Sequence, residues 1–391
     1  MSTPKKIIFL VPILAGGGGE KVVSDLTLHL PNTEKVIVAF QVHDNHFDYQ
    51  ARVISLHIGL STNPLAKALI FLKGLFAFSN ILAKEKPDAV ISFGSLQNII
   101  NVLVSKNSII RVDNPIVASH QDSGGGFYPL LVRLFFNRAK HIVVVSAGLK
   151  AELVETFHVK AEKITIIYNA VDPQRIRELA EQPIDPQYQE PFKHPAVITI
   201  GKMIKQKGQW HLVKAFAEVK KEVPDAELVI LGDGPLRKDL QGLIEKLGLQ
   251  GSVHLLGWQK NPYQFLARST VFALPSLWEG FAIVVLEAMA CGVPVVASDC
   301  DFGPKEIINS AAGAGYATSK AEYLPNGILV PSFKEKDFGT LENLPNEKIL
   351  ADSIVQLLKN PELRQKMSQA VQQRVNDFSL KSFIDAHQRL Y

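Results

Sequence analysis

Cysteine is nearly absent, with two residues in 391, Cys291 and Cys300. A lone pair this close together makes no disulfide framework and points to a reducing compartment. Charge of one sign is also lacking. Lys and Arg exceed Asp and Glu by only 4, for a pI near 8.8. That excess is too weak for a nucleic-acid partner but compatible with anionic substrates or an anionic membrane surface. No apolar stretch reaches the roughly 18 to 20 residues that a membrane span needs. The apolar run after the basic opening Lys5-Lys6 ends within about six residues, short for a signal peptide. The expected location is cytoplasmic, the inner face of the cytoplasmic membrane included. No internal repeat and no low-complexity tail stand out, and no His/Cys cluster has metal-ligand spacing.

What the chain does have is a repeated alternation of short apolar runs with amphipathic segments, at a hydrophobic content of 47% and a charged content of 20%. The length suits two domains of ordinary size. Lys6 to Pro12 is a continuous apolar run, the mark of a strand buried on both faces. Four glycines, Gly16–Gly19, follow it, and then a helix from Glu20 to about Leu30. This is not the dinucleotide fingerprint, because the third glycine and the closing acid are missing. The turn instead lets backbone approach a ligand closely. Further strands are expected at Val36–Phe40, Val53–His57, Pro87–Phe93, Ile109–Val112, Ile116–Ser119, His141–Ser146 and Ile164–Tyr168. Pro64–Lys84 reads as a helix whose apolar face is interspersed with Lys67, Lys73 and Lys84, and Leu130–Arg138 as a second of this kind. Such helices suit an anionic bilayer, or a sheet face with snorkelling lysines. Glu181–His194 has linker composition and sets the expected boundary. The domains predicted are 1–180 and 195–375, with a last helix over 376–391 returning to the first.

Chemistry-bearing residues cluster at the ends of predicted strands. His120 ends one before a glycine-rich loop, a fit for a cleft edge, since histidine titrates near neutrality and both donates and accepts; a surface histidine is the other reading. In the second half Ala196–Ile200 is a strand. Lys202, Lys205 and Lys207 then lead through Gly208 to a helix from Gln209 to Val223. Lysines beside a glycine turn and a helix start are what a diphosphate needs, although solvated charge would look the same. Glu227–Leu231 runs into Gly232-Asp233-Gly234-Pro235, and Val253–Leu255 into Gly257-Trp258. The stretch Leu274–Ser298 reads strand end, loop, helix from Phe281 to Ala290, turn, and strand from Val293. Its two acids, Glu279 and Glu287, are eight positions apart. Fully helical, they would be separated by about 12 Å, beyond the roughly 5–9.5 Å of a hydrolytic pair. The loop backbone at Gly280 and Phe281 makes an anion and hydroxyl site at a helix N-terminus. One acid for a sugar hydroxyl, one for a ribose and a helix start for phosphate would suit a nucleotide sugar. Spacing alone leaves open a core role for Glu287, paired with an Arg or Lys.

The segment PSLWEGFAIVVLEAMACGVPVVAS closely resembles the signature of the GT4 family of retaining glycosyltransferases. Gly17-Gly18-Gly19-Glu20-Lys21 resembles the family's first loop. Asn169-Ala170-Val171-Asp172 resembles its hinge element, with Tyr168 and Ala170 departing from it. Gly303-Pro304-Lys305-Glu306-Ile307 and Asn326–Pro331 resemble two later elements, with Ser310–Leu324 longer than expected and Lys334–Asn346 a polar insertion. The resemblance implies an α/β GT-B fold, two doubly wound Rossmann-like domains facing each other across a cleft.

It also implies roles. His120 and Glu279 act on the transferred sugar. Gly17, Gly18, Lys202, Lys207, Gly232, Gly234, Gly257, Gly280, Phe281, Ala282 and Glu287 bind the donor, with the two lysines on its diphosphate and Glu287 on its ribose. Lys202 stands where the family carries Arg, which keeps the charge and loses the bidentate fork. Asp122 is a candidate for the acceptor. The family's fold works without a bound metal, so neither metal nor cofactor is expected, and no Asp-x-Asp metal site is read. The implied activity moves a sugar, such as N-acetylhexosamine, galactose or glucose, from a UDP-sugar to a glycan or polyprenyl-diphosphate-linked acceptor, as in bacterial cell-envelope synthesis. A soluble acceptor, a nucleotide-sugar epimerase of the same fold and a non-catalytic nucleotide-sugar binding subunit are the alternatives.

Overall fold

Two sheets account for the alternation, and the strands are parallel for a local reason. The central ones are short Val/Ile-rich runs buried on both faces, each followed by a helix. The computed structural model describes residues 4–15, 17–43, 47–59, 61, 63–122, 127–313, 315–334, 338, 341 and 344–391, with backbone alone at 64, 65, 67 and 122. The chain divides into two compact units, Met1–Asn169 with Leu380–Tyr391, and Ala170–Ser379.

The first unit holds strands β1 (Lys5–Leu14), β2 (Thr33–Val42), β3 (Arg52–Ser55), β4 (Ala89–Phe93), β5 (Ser108–Val112), β6 (His141–Val144) and β7 (Ile164–Ile166). They form one parallel sheet in the order β3-β2-β1-β4-β5-β6-β7. Its helices are α1 (Gly18–His29), α2 (Pro64–Glu85), α3 (Ser95–Val104), α4 (Ile116–Asp122), α5 (Tyr128–Phe135) and α6 (Ala147–Ala151). The order turns between β1 and β4, the switch point where a doubly wound sheet opens a crevice at its carboxyl edge. A buried amide network sets the strand spacing beneath that crevice. Asn101 donates to Val90 O, Ser92 Oγ and Ile109 O, and Asn98 donates to Arg111 O at 2.8 Å.

In the second unit α7 (Pro173–Ala180) is followed by a sheet of β8 (Ala196–Ile200), β9 (Glu227–Leu231), β10 (Val253–Gly257), β11 (Val271–Leu274), β12 (Val295–Asp299), β13 (Glu322–Leu324) and β14 (Gly327–Pro331). The order is β10-β9-β8-β11-β12-β14-β13, parallel except for the last pair. Helices α8 (Gln209–Glu222), α9 (Arg237–Lys246), α10 (Tyr263–Leu266), α11 (Ile283–Ala290), α12 (Pro304–Ile308), α13 (Pro345–Lys359) and α14 (Pro361–Arg374) cover it. The switch point lies between β8 and β11. The final helix, α15 (Leu380–Gln388), belongs to the first unit.

Three expectations are corrected. Ile116–Ser119 is the start of α4 rather than a strand, because the Glu152 carboxylate accepts the N–H groups of Ile116 and Val117, both at 2.9 Å, and so caps a helix. The proline-rich 181–194 stretch lies inside the second unit, as two short 3₁₀ turns, Pro186–Tyr188 and Glu190–Lys193; the first unit ends at Asn169 instead of 180. The chain rejoins the first unit at Leu380, four positions later than the predicted 376.

The physical reason for these crossing points is Arg111. This fully buried side chain donates to Asp113 Oδ1 at 2.8 Å, to Asn169 Oδ1 and to His387 Nε2 at 3.2 Å, so it holds the last residue of the outgoing segment and the helix of the returning one. Phe93 and Phe383 flank the guanidinium. No helix among the described residues is long and apolar enough to cross a membrane.

Candidate functional site

In the first unit a pocket of about 250 Å³ opens at the switch point. Pro12, Glu20, Gly94, Asp113, Ser119 and His120 are among its walls. Gly17 is the N-cap of α1 and Gly18 its first residue, and an added Cβ at Gly18 would meet nothing, so this backbone faces open space. The position a Cβ would take at Gly17 is filled by the Glu20 carboxylate. His120 lies on α4, and its ring stacks on Tyr128 with centroids 4.7 Å apart. Burial pushes the Tyr128 hydroxyl to a high pKa against the pull of its hydrogen bonds with Ser95 and Asn98, so it stays a neutral phenol. The side chain of Asp122, and the loop 123–126 after it, lie outside the described residues.

The second unit gathers most of the remaining candidates at the carboxyl edge beside β8 and β11. After β8 the chain forms a 3₁₀ turn, Lys205–Lys207, and enters α8 through Gly208. Gly208 has φ +55° and packs against the Pro275 carbonyl, a place where a side chain would collide with backbone. This close approach brings the lysine turn onto the loop after β11. Lys207 Nζ meets Glu279 Oε1 at 2.5 Å, with the two side chains 20% and 5% exposed. Ser276 Oγ donates to the same oxygen at 2.7 Å, and Gln206 Nε2 reaches Trp278 O at 3.1 Å and Glu279 Oε2 at 3.5 Å. Gln206 O in turn accepts the Leu277 N–H at 2.8 Å. Lys202 is exposed.

Gly280, Phe281 and Ala282 lead into α11. Ala282, its N-cap, sits at φ +66°, and no side chain caps the helix start. Phe302 is also at φ +66°, and Gly303, at φ +67°, packs against the backbone of Phe281. Two non-glycine residues in the left-handed region cost about 1–3 kcal/mol each, and such strain concentrates where structure serves a ligand. Glu287, one turn into α11, accepts the Tyr263 hydroxyl at 3.1 Å. Gly232 donates its N–H to Gly257 O at 2.7 Å, and Gly234 packs on the backbone of Met203, so these two turns close around the lysine loop. Trp258 stands exposed beside Gly257, and Arg237 donates to Leu255 O at 2.9 Å.

The sequence missed Gln206, Ser276, Tyr263 and Arg237, because nothing in their local patterns marks them. It also contains an Asp-x-Asp spacing that was not expected, Asp299-Cys300-Asp301. Asp299 pairs with Lys305 at 3.0 Å and accepts the Thr318 N–H at 2.6 Å, while burial pushes the Cys300 thiol up. Among the described residues no three His, Cys, Asp or Glu side chains converge as a metal site would require.

Two doubly wound sheets, each with glycine turns and polar side chains at its switch point, define a two-domain α/β protein of the Rossmann-like type. Comparison with known proteins makes this specific. The family described as Glycosyl transferases group 1 matches residues 181–374, and Glycosyltransferase Family 4 matches residues 16–175. An uncharacterised glycosyltransferase of Methanocaldococcus jannaschii is 33% identical over 345 residues, 83% of this chain and 84% of that protein. The N-acetylgalactosamine-N,N'-diacetylbacillosaminyl-diphospho-undecaprenol 4-alpha-N-acetylgalactosaminyltransferase of Campylobacter jejuni is 29% identical over 248 residues, 63% of this chain and 59% of that one. The crystal structure of Anabaena HepE with UDP and glucose shares the fold, with a TM-score of 0.73 at 18% identity and 98% of each chain covered. The chain belongs to the group 1, family 4 glycosyltransferases, enzymes of the GT-B fold.

Proposed function

We propose that the enzyme moves a hexosyl group, N-acetylhexosamine, galactose or glucose, from a UDP-sugar to a saccharide acceptor of cell-envelope glycan synthesis, with retention at the anomeric carbon. The observation that carries this reading is the Lys207–Glu279 pair beside the uncapped start of α11. Cation, backbone N–H groups and carboxylate within one loop cluster match a diphosphate joined to a hydroxyl-bearing ring. The UDP in the HepE crystal and the diphospho-undecaprenol acceptor in the name of the Campylobacter protein support the donor and the lipid-linked acceptor.

In the proposed reaction the bond from the anomeric carbon to the diphosphate oxygen breaks, its electron pair leaving with the phosphate. The acceptor oxygen bonds to that carbon on the same face, and its proton passes to the departing phosphate oxygen, the nearest base on that face. Lys202, Lys207 and the N–H groups of Gly280 and Phe281 stabilise the leaving charge, and Gly232, Gly234 and Gly257 shape the nucleotide site. Glu279 and Ala282 hold sugar hydroxyls, Glu287 the ribose, and His120 the transferred sugar. Gly17 and Gly18 offer backbone to the donor, and Asp122 is assigned to the acceptor. No metal or cofactor takes part. A panel of nucleotide sugars, read as thermal shift and slow nucleotide release, tests this: one stabilising donor with release is expected, and no shift with any donor refutes it.

The lipid-linked acceptor carries a membrane partner with it. Leu69, Leu72 and Phe76 on α2 and Phe127, Leu130 and Leu134 at α5 form exposed apolar stripes, Phe76 68% and Phe127 81% exposed. Exposed Lys73, Arg133 and Arg138 accompany them, and α2 carries no acid before Glu85. Both helices pack on α3, so the stripes belong to one side of the sheet. Flotation with phosphatidylglycerol vesicles at low salt, reversed at high salt, is expected. Equal recovery with neutral vesicles would remove the electrostatic half of the reading.

A further inference from the structure

We infer that Tyr263 is a positioning residue that sets the Glu287 carboxylate for the ribose hydroxyls, and so makes the enzyme select ribonucleotides over 2′-deoxyribonucleotides. The inference rests on the proposed ribose role of Glu287 and deepens it. Tyr263 is itself held from behind. Its N–H donates to Asn261 Oδ1 at 3.2 Å, and Asn261 Nδ2 donates to Leu179 O at 2.8 Å and Gln182 Oε1 at 2.9 Å, which fixes the start of α10 to the end of α7. From that anchor the tyrosine touches two successive turns of α11. Its hydroxyl donates to Glu287 Oε1 at 3.1 Å, and its carbonyl accepts a weak bond from Cys291 Sγ at 3.9 Å. Burial, with Glu287 as the next cause, pushes the Cys291 thiol up to about 12, so it remains a donor.

A carboxylate accepts only, and its two oxygens offer room for several donors. A phenol on one oxygen fixes the plane of the group and the rotamer of a long side chain that would otherwise lose its freedom when the ligand arrives. A vicinal diol is then met by acceptors already aimed at it. A 2′-deoxyribose supplies one donor fewer and leaves part of that arrangement unanswered, which is where a site built to hydrogen-bond a hydroxyl discriminates.

The test is calorimetric binding of UDP, CDP, ADP and GDP, each beside its 2′-deoxy counterpart, to the full chain, to Tyr263→Phe and to Glu287→Gln. Circular dichroism and thermal unfolding report that each variant folds. Wild type should prefer the ribonucleotide. Tyr263→Phe should weaken it by about five- to tenfold, the scale of one ordinary hydrogen bond, and leave the deoxy form nearly unchanged, so the ratio falls. A ratio that collapses in Glu287→Gln but holds in Tyr263→Phe would show that Tyr263 only packs α10 on α11, and would overturn the inference alone. A ratio unmoved by either variant, or no binding of any nucleotide, would overturn the ribose reading and this inference with it.

Discussion

Replacing Glu279 by Gln separates the two tasks proposed for the lysine loop, holding the donor's diphosphate and holding its sugar. In the free enzyme Lys207 is already committed, at 2.5 Å, to a carboxylate that is 5% exposed. On the proposed reading, an incoming diphosphate would compete with that carboxylate for the ammonium. Glutamine keeps an acceptor for Ser276 and a group for Gln206 to meet, so the loop should hold its shape, but the competing charge is gone. A charge-assisted hydrogen bond contributes about 1.5–3 kcal/mol, and release of a part of this should tighten UDP by up to about tenfold. The sugar half behaves oppositely, since a neutral amide accepts a hydroxyl less strongly than a carboxylate does. The affinity advantage of a UDP-sugar over UDP should shrink, and turnover should fall by about 10²- to 10³-fold, the usual effect of losing one preorganised contact. Titration calorimetry with UDP and UDP-sugar, beside single-turnover transfer, measures all three. A fall in UDP affinity for Glu279→Gln matching that of a Lys207 variant would refute the reasoning, because Glu279 would then serve to hold the lysine in its binding position.

Lys207→Ala should lower turnover by about 10²-fold or more, and intact turnover would remove the lysine from the site. Gly208→Ala must place a side chain at φ +55° against the Pro275 carbonyl; it should cost more than about 1 kcal/mol in denaturant unfolding and weaken UDP by shifting Lys207. Arg111→Ala leaves Asp113, Asn169 and His387 without their shared donor and should destabilise the first unit by about 3–5 kcal/mol. Arg111→Lys should not rescue it, since a point charge cannot reach three acceptors in a fixed fork. Burial, then the neighbouring Arg111, pushes the pKa of His387 down from 6.5 to about 3. The unfolded chain binds that proton first, so the contribution to stability is complete above pH 6.5 and is lost as pH falls toward 3, by about 1.4 kcal/mol per pH unit. His387→Gln keeps an acceptor for Arg111 without titrating, and should flatten that slope in urea titrations between pH 4 and 6.5.

Much of the architecture could be read from local pattern. The run Lys6–Pro12 is apolar because β1 has helices on both faces, and that requirement leaves its mark in consecutive residues. Gly208, the lysines before it and the Glu279–Glu287 spacing are likewise local, so the loop and helix starts of the second unit were legible. Other features were decided by residues far away in the chain. His120 sits on a helix because Glu152 caps it across more than thirty residues, and the residues just before it, Ile116–Ser119, look like a strand. The boundary falls at Asn169 rather than in the proline-rich stretch because a buried arginine at 111 needs its amide. Ala282 and Phe302 sit in left-handed backbone, a conformation neither residue would choose alone. The pairing of Lys207 with Glu279 links positions 72 apart. Burial has a period, so the sequence carries it in every short window. The partner of a buried charge has none, since it is chosen by which loops the closed sheet brings within reach.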